Sequence, residues 1–320
     1  LYTHIASNRR RSALLLAGLF VLVYVMVFAG ALLAEAMSDP DRTVEAYLAL
    51  AGRDVVAALP FATAGAAIWI AIAWRFNGKL IDFVTGAAGV TRQEQPKLYN
   101  LLENLCISRG IPMPKLKIIE TSALNAYATG LNDKQYSITV SSGLINALTD
   151  DEIEAVLGHE LTHIRNGDVR MMVIAVVIAG VIGFFAELFF RLFLNNGWRF
   201  GGRRSSSDGE RRSSGGGGGG AIIVIVIAAA LIALAWLLSQ VIRFSLSRSR
   251  EYLADAGAVE LTKNPDAMIS ALLKISGRAD IEGVPSGVMD MCFENDPDDF
   301  ADLFSTHPSV TKRVQALIET

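Results

Sequence analysis

The chain has 320 residues, a formal net charge of −3 and a hydrophobic fraction of 52%. Its charged fraction of 19% and mean hydropathy of +0.38 are unusual for a soluble enzyme but expected of a membrane-anchored one. The slight negative charge argues against a nucleic-acid-binding protein, which would carry a basic face. No G-x-x-x-x-G-K-[ST] phosphate loop occurs, so the sequence contains no recognisable ATP site.

Two apolar segments near the start predict an N-terminal transmembrane hairpin within residues 1–76. Residues 13–34 are long enough at 1.5 Å per residue to cross a ~30 Å hydrocarbon core, and residues 55–74 form a second span. A cleaved secretory signal is the alternative for the first segment, but its length and the second span favour a retained anchor. Basic residues flank the outer ends of the hairpin, so the following domain is expected in the cytoplasm. The chain opens on Leu1, so we expect a non-standard start codon or a missing start.

A second hydrophobic hairpin is predicted over residues 171–242. Residues 221–242 carry no charge, whereas Glu187 and Arg191 interrupt residues 171–194 and can pair at i,i+4. Between them, the Gly/Ser/Arg-rich residues 197–220 predict a disordered linker. Its basic residues favour the cytoplasm, yet two full spans would place it outside. Two full spans are slightly favoured over a hairpin that does not cross completely.

The remaining residues, 77–170 and 243–320, predict the two parts of one α+β domain. Helical spacing predicts a helix over residues 93–109, and period-two alternation predicts strands over 115–120 and 136–141 with a turn between them. Thr149 or Asp150 can begin the next helix. Downstream, helices are expected from residue 247, over 265–278 and over 308–319, with a loop over 277–300. The expected fold is therefore an α+β domain with a small antiparallel sheet, joined to four apolar, mostly transmembrane helices.

The segment His159-Glu160-Leu161-Thr162-His163 places two imidazoles four residues apart on a predicted helix. Residues with this spacing lie nearly above one another, so both rings can bind one metal ion. Glu160 is rotated by about 100° from His159, which puts its carboxylate beside the metal's open position. Such a glutamate can take a proton from a water molecule whose pKa zinc lowers to about 7. Two surface histidines on an ordinary helix are the alternative.

The predicted metal site lies close to an apolar segment. Only about one or two helical turns, roughly 12 Å, separate His163 from the stretch that begins at Met171. This spacing favours a substrate in or near the bilayer. Cys106 and Cys292 form no C-x-x-C pair and are expected to be ordinary core residues.

The order of motifs resembles that of the HtpX-type membrane zinc proteases, relatives of the CAAX prenyl protease. The resemblance covers nearly the whole chain and rests on four groups of residues: His159-Glu160-x-x-His163 with Glu251-x-x-x-Asp255, residues 125–130 (Asn-Ala-Tyr-Ala-Thr-Gly), residues 165–168 (Arg-Asn-Gly-Asp), and residues 306–308 (Thr-His-Pro). The Gly/Ser insertion at 201–220 departs from the family in length and composition. The resemblance implies a zincin-like metalloprotease domain and one Zn²⁺ per chain.

The resemblance also implies roles for individual residues. Glu251 matches the third metal ligand beside His159 and His163, which leaves one position open as catalytic zinc requires. Asp255 would accept the second ring N–H of a zinc-bound histidine and fix its tautomer. Solvated helix carboxylates are the alternative for Glu251 and Asp255.

Two further positions are matched with open alternatives. Asn125 and Ala126 match an edge strand that holds an extended peptide substrate through its backbone; an asparagine that caps a strand end is the alternative. His307 matches a residue that could stabilise the oxyanion of the tetrahedral intermediate, and a plain helix start before Pro308 is equally compatible. His4 is expected to be uninvolved.

The leading hypothesis is a membrane-anchored zinc endopeptidase. The resemblance implies proteolytic quality control and stress response, with misfolded or damaged membrane proteins as substrates and the bilayer as partner. It also implies a multi-pass protein of the bacterial cytoplasmic membrane, with its active site facing the cytoplasm. One alternative is a site-two-type intramembrane protease, which Asn264-Pro265-Asp266 matches in part. The other is a non-catalytic membrane scaffold with a structural zinc site, although such sites usually have four protein ligands.

Overall fold

The structure, a computed structural model, describes residues 2–196, 219–244, 249–282, 289, 291–293 and 308–319. Its helices are α1 (Tyr2–Ser38), α2 (Val44–Thr85), α3 (Pro96–Arg109), α4 (Ser142–Ala147), α5 (Asp150–Asn166), α6 (Asp168–Asn196), α7 (Gly219–Phe244), α8 (Ser249–Thr262), α9 (Pro265–Ile275) and α10 (Val310–Ile318). Its strands are β1 (Ala88–Gly89), β2 (Lys115–Ile119), β3 (Ala126–Thr129) and β4 (Ser137–Ser141).

The chain divides into two compact units. The first comprises Leu1–Leu15, Ile72–Val176 and Ile242–Thr320, and it contains the sheet and most of the shorter helices. The second comprises Leu16–Ala71 and Val177–Val241, which are segments of the long apolar helices. The predicted α+β domain with apolar helices is thus confirmed as the fold class.

The second unit has an apolar interior and an apolar exterior. Leu19, Leu32 and Val224 are fully buried, whereas Phe61 is 79% and Ile222 64% exposed. A hydroxyl–hydroxyl hydrogen bond of 2.8 Å joins Tyr24 of α1 to Thr63 of α2. An apolar cavity of about 400 Å³ lies inside the unit; it is lined by Leu19, Val23, Val27, Phe61, Ala62, Gly65, Ala66, Trp69 and Val181. Contact between a large apolar surface and water is unfavourable, whereas contact with lipid is not. This surface is therefore suited to a bilayer.

Within the described part of the chain, three helices are long and apolar enough to cross a membrane: Ala13–Ser38, Val44–Thr85 and Gly219–Ser239. At 42 residues, α2 is roughly 63 Å long, about twice the thickness of a hydrocarbon core. A fourth candidate is a bent pair, Asp150–Asn166 with Asp168–Gly183, whose axes differ by 76°. The bend occurs at Gly167, which ends α5 with a positive φ of 76° that favours glycine. The predicted linker lies outside the described residues up to position 218, and α7 begins at Gly219.

The sheet is mixed, which corrects the prediction of a purely antiparallel one. Its strand order is β1-β2-β4-β3; β2 and β4 run parallel, whereas the β1–β2 and β3–β4 pairs are antiparallel. Alternation in the sequence predicted β2 and β4 but not β3, which lies between them along the chain. Only the family resemblance indicated an edge strand there, at Asn125 and Ala126. All four residues of β3 are buried, so this strand shows no alternation of apolar and polar positions.

The predicted helices of the first unit are present with shorter bounds. Helix α3 begins at Pro96 rather than residue 93 and ends at Arg109 as predicted; Gly110 follows it with a φ of 62°. Helix α9 ends at Ile275, and α10 covers Val310–Ile318. At the centre lies α5, which packs against α3, α8, α9 and the sheet. Nearly every residue of α5 after its first turn is buried, so its polar side chains are held inside the protein.

Candidate metal centre

Helix α5 begins with a capping box that fixes the register of the metal-binding motif. The Thr149 side chain accepts from the Glu152 N–H, and the Glu152 carboxylate accepts from the Thr149 N–H. The same carboxylate accepts from Ser270 Oγ at 2.6 Å and Lys274 Nζ at 2.8 Å, both on α9. These bonds outweigh the opposing effect of burial and lower the pKa of Glu152 to about 2. The start of α5 is therefore fixed to α9 by an ionised, buried carboxylate.

Helix α8 approaches α5 closely because glycines stand at the contact. A Cβ on Gly158 of α5 would lie 3.5 Å from Ala258 Cα, and one on Gly257 of α8 would lie 2.5 Å from Thr162 Cγ2. A side chain at position 257 therefore has no room, and the helices can touch because glycine has none. This close crossing brings Glu251 of α8 to the two histidines of α5.

The metal-binding groups of three buried residues, His159, His163 and Glu251, lie close together. His163 Nε2 lies 3.0 Å from His159 Nε2 and 3.4 Å from Glu251 Oε1, and His159 Nε2 lies 3.5 Å from Glu251 Oε2. Three ligands of a tetrahedral zinc ion, each about 2.0–2.2 Å from it, would be about 3.3 Å apart. The spacing therefore fits a metal ion with three protein ligands. Among the described residues this is the one such cluster of histidine, cysteine and carboxylate groups.

Both histidines are oriented by a carboxylate on the ring nitrogen that faces away from this cluster. His159 Nδ1 lies 2.9 Å from Asp255 Oδ1, and His163 Nδ1 lies 3.1 Å from Asp168 Oδ2. A carboxylate at Nδ1 holds the proton there and leaves the Nε2 lone pair for a metal ion. The structure places Asp255 where the sequence predicted it. The same function for Asp168 was not predicted, although it lies in the quoted segment 165–168.

Buried carboxylates surround the two histidines. Burial opposes the imidazolium form of His163, but Glu251 and Asp168 outweigh it and raise its pKa well above the usual value. Asp255 is also buried, yet Arg313 and His159 lower its pKa and keep it ionised. Inside a protein, carboxylates that stay ionised are paired with cations, and a divalent metal is a strong one.

Two buried arginines stand behind the carboxylates. Arg313 of α10 donates to both oxygens of Asp255, from Nε at 2.8 Å and from Nη2 at 2.6 Å. Arg250 of α8 places Nε 3.7 Å from Asp168 Oδ1. The sequence did not predict either residue. Arg313 lies four residues before Leu317, so both are on the buried face of α10. This shared face is the one sequence signal for an internal position of Arg313.

The remaining predicted site residues occupy three different settings. Glu160 is buried beside His159 in α5, with 2% of its surface exposed. His307 lies outside the described residues. Of the partial match to site-two proteases, Asn264 caps α9 by accepting from the Ala267 N–H at 3.1 Å, and Asp266 is exposed and outside the metal cluster. A helix start accounts for these residues.

Both polar atoms of the Asn125 side-chain amide form hydrogen bonds within the protein. Its Nδ2 donates to the Ala279 carbonyl at 2.8 Å, and its Oδ1 accepts from the Ala126 N–H at 2.9 Å. Its main-chain carbonyl accepts from the Ser141 N–H at 2.9 Å. These contacts fix the entry into β3, which agrees with the strand-capping alternative for its side chain. A role in substrate binding would then fall to the backbone of β3.

The outer edge of β3 is paired with the protein's own chain at its first residues. The Phe293 N–H donates to the Ala126 carbonyl at 2.7 Å, and Tyr127 forms an antiparallel bridge with Cys292. The Phe293 ring packs edge-on against the His159 ring, with centroids 4.7 Å apart. This segment was predicted as part of a loop and was not assigned to the site. Its contact with β3 could be found only from the three-dimensional structure.

An H-E-x-x-H helix with a glutamate as third donor, and a carboxylate behind each histidine, defines a metallopeptidase-type site. The sequence profile of peptidase family M48 matches residues 92–320. The chain belongs to this family. It is a membrane metallopeptidase, and the resemblance stated from the motifs is confirmed.

Similar proteins extend over nearly the full chain. A protease HtpX homolog of Bacteroides fragilis is 37% identical over 98% of this chain and 97% of its own. Homologs from Listeria innocua and Limosilactobacillus reuteri are 36% and 34% identical, each over 99% of both chains. Among solved structures, S. mikatae Ste24p matches with a TM-score of 0.47 and 22% identity, over 78% of this chain and 56% of its own.

Proposed function

We propose that this metallopeptidase is a zinc-dependent endopeptidase of a bacterial cytoplasmic membrane that hydrolyses misfolded or damaged membrane proteins. The observation that carries the proposal is the convergence of His159, His163 and Glu251 at separations of 3.0–3.5 Å. Two nitrogens and one carboxylate oxygen form the ligand set typical of catalytic zinc, which retains one open position. A structural zinc site would normally have a fourth protein ligand, so a non-catalytic scaffold is less well supported.

The chemistry assigned to the site is general acid–base hydrolysis. A zinc ion held by these three side chains would lower the pKa of a water molecule to about 7 and polarise the scissile carbonyl. Glu160 accepts the proton of the attacking water and later delivers it to the departing amine. Asp255 and Asp168 hold the histidine tautomers throughout the cycle. His307 is proposed to stabilise the oxyanion, a role that rests on the resemblance.

For the substrate, we propose an extended peptide added to the edge of β3. Backbone pairing holds any unfolded segment without selecting its side chains, which suits a protease of damaged proteins. At this edge the Ala126 carbonyl already accepts a hydrogen bond from the Phe293 N–H. A substrate strand must therefore use the edge beyond Ala126 or displace Phe293. This requirement limits entry to segments without stable structure.

The proposed location follows from composition and charge. Each membrane-crossing candidate contains a long apolar stretch, and basic residues at the outer ends of the first two favour a cytoplasmic active site. An active site on that side meets the cytoplasmic loops of damaged membrane proteins. An introduced cysteine in residues 205–214, probed with a membrane-impermeant reagent in intact cells, tests the side of the linker. Labelling there would support two full spans after α5, and its absence would support a hairpin that does not cross.

The decisive experiment compares the wild-type protein with Glu160→Gln in detergent. A misfolded membrane protein serves as substrate, with and without added zinc. We expect cleavage only by the wild type with zinc, and an equal zinc content in both proteins because Glu160 is not a ligand. Cleavage by a zinc-loaded Glu160→Gln protein would exclude the assigned mechanism. Zinc binding by the wild type with no cleavage of any unfolded substrate would instead favour the scaffold.

A further inference from the structure

Arg313 is one of the largest fully buried side chains among the described residues, with 0% of its surface exposed. A buried charge is costly unless it is paired and hydrogen-bonded, so the contacts of its guanidinium indicate what it does. It lies on α10, far along the chain from the metal-binding motif, and none of the proposed catalytic steps uses it.

The guanidinium holds two neighbours of His159 at once. Its Nε and Nη2 donate to the two oxygens of Asp255, and Oδ1 of that carboxylate lies 2.9 Å from His159 Nδ1. Its Nη1 donates to the Phe293 carbonyl at 2.9 Å and lies 3.9 Å from Glu251 Oε2, and its Cζ lies 4.8 Å from the centre of the Phe293 ring. That ring in turn packs edge-on against the imidazole of His159. Arg313 thus fixes both the carboxylate at Nδ1 and the aromatic ring beside the imidazole.

We propose that Arg313 is a positioning residue, which sets the orientation of His159 as a metal ligand through Asp255. The inference rests on the proposed zinc site. A planar guanidinium that binds both carboxylate oxygens fixes the plane of the carboxylate as well as its charge. With the plane fixed, Oδ1 stays beside Nδ1, 2.9 Å away, and the imidazole keeps its orientation. A lysine keeps the charge at this position but contacts the carboxylate as a point charge and leaves its plane free.

The test measures zinc affinity by chelator competition on the full-length protein in detergent. Removing a group that orients a metal ligand typically weakens metal binding by about 10–100-fold, and we expect Arg313→Lys to raise the zinc Kd within that range. Arg109→Lys is the control, because Arg109 pairs with a different carboxylate of helix α8, Glu260, at 2.9 Å, and Glu260 is not a predicted metal ligand. Its zinc Kd should stay within about twofold of the wild-type value.

A double-mutant cycle separates positioning from general destabilisation. If Arg313 acts through Asp255, Arg313→Lys should have little effect on zinc affinity in an Asp255→Asn protein. The neutral pair Arg313→Gln with Asp255→Asn leaves no buried charge unpaired and serves if Arg313→Lys does not fold. Its zinc Kd should match that of Asp255→Asn alone. Thermal unfolding with chelator present compares the metal-free stabilities, which a purely structural role would lower without changing the zinc Kd.

Two results would overturn the proposal. One is a zinc Kd for Arg313→Lys equal to that of the wild type. The other is a rise in the zinc Kd, for Arg313→Lys or Arg313→Gln, that is as large in the Asp255→Asn protein as in the protein with Asp255. Zinc affinity is measured without any substrate. A wild-type protein that binds zinc but cleaves nothing would therefore refute the proposed endopeptidase and leave this comparison valid.

Discussion

The contact between α5 and α8 predicts that Gly257→Ala will damage both the fold and the metal centre. The new methyl group would lie 2.5 Å from Thr162 Cγ2 and 2.8 Å from Thr162 Oγ1. Carbon atoms in contact are normally about 3.5–4.0 Å apart, so the helices must separate by roughly 1 Å. Thr162 cannot easily turn aside, because it is β-branched and its hydroxyl donates to the Gly158 carbonyl at 2.8 Å.

The expected magnitude follows from two opposing effects. Overpacking in a dense interior costs about 1–3 kcal/mol, whereas replacing a helical glycine by alanine gains up to about 1 kcal/mol. We therefore expect the free energy of unfolding to fall by about 1–2 kcal/mol. Glu251 is on the same helix as Gly257, so a shift of roughly 1 Å also draws its carboxylate from the histidines. A displaced ligand should raise the zinc Kd about tenfold or more.

The assay combines denaturant unfolding in detergent with chelator competition. Gly158→Ala is the matched control at the same crossing, because its methyl group would lie 3.5 Å from Ala258 Cα, which is ordinary contact. It should be neutral or stabilising by up to about 1 kcal/mol. Adding Thr162→Ala to Gly257→Ala removes the two nearest atoms and should restore part of both losses. A Gly257→Ala protein with wild-type stability and zinc affinity would refute the argument.

Three more predictions concern single residues. Glu251→Gln should abolish zinc retention on gel filtration. A chelator should lower the thermal midpoint of the wild type but not that of this variant. An unchanged zinc content in the variant would count against Glu251 as a ligand. Glu152→Gln should destabilise the protein by roughly 2 kcal/mol through lost charged hydrogen bonds. Because the pKa of Glu152 is lowered to about 2, this difference is complete above the ordinary glutamate pKa and should vanish as pH falls toward 2; a constant difference in acid unfolding would contradict it. Burial, aided by Glu103, raises the pKa of Cys106 to about 11, so its alkylation at pH 8 should be roughly 100-fold slower in the folded than in the unfolded protein.

The sheet shows where sequence patterns fail. Residues 115–120 and 136–141 were predicted as neighbouring strands joined by a turn, and both are strands. Alternation identifies a strand but does not give the direction of its partner. The two run parallel because β3 intervenes and pairs with β4 as a hairpin. Since β3 is buried throughout and short, it has neither the length nor the alternation by which a strand is recognised.

The residues of the metal centre were predicted in two different ways. His159 and His163 were predicted from spacing alone, because helical geometry places residues four apart side by side whatever surrounds them. Glu251 and Asp255 came from the family resemblance, since nothing local distinguishes them from surface carboxylates. Their convergence on the histidines needed the close crossing of α5 and α8, which depends on the absence of a side chain at Gly257.

Local patterns predicted the apolar helices and the metal-binding helix, because each depends on residues near one another in the chain. Long-range packing was needed to bring Arg313 to Asp255 and Phe293 to β3 beside His159. These contacts join residues up to more than 160 positions apart, as between Ala126 and Phe293. Such contacts form because buried charges and unpaired backbone groups must find partners wherever folding brings them, and no local pattern records which partner that is.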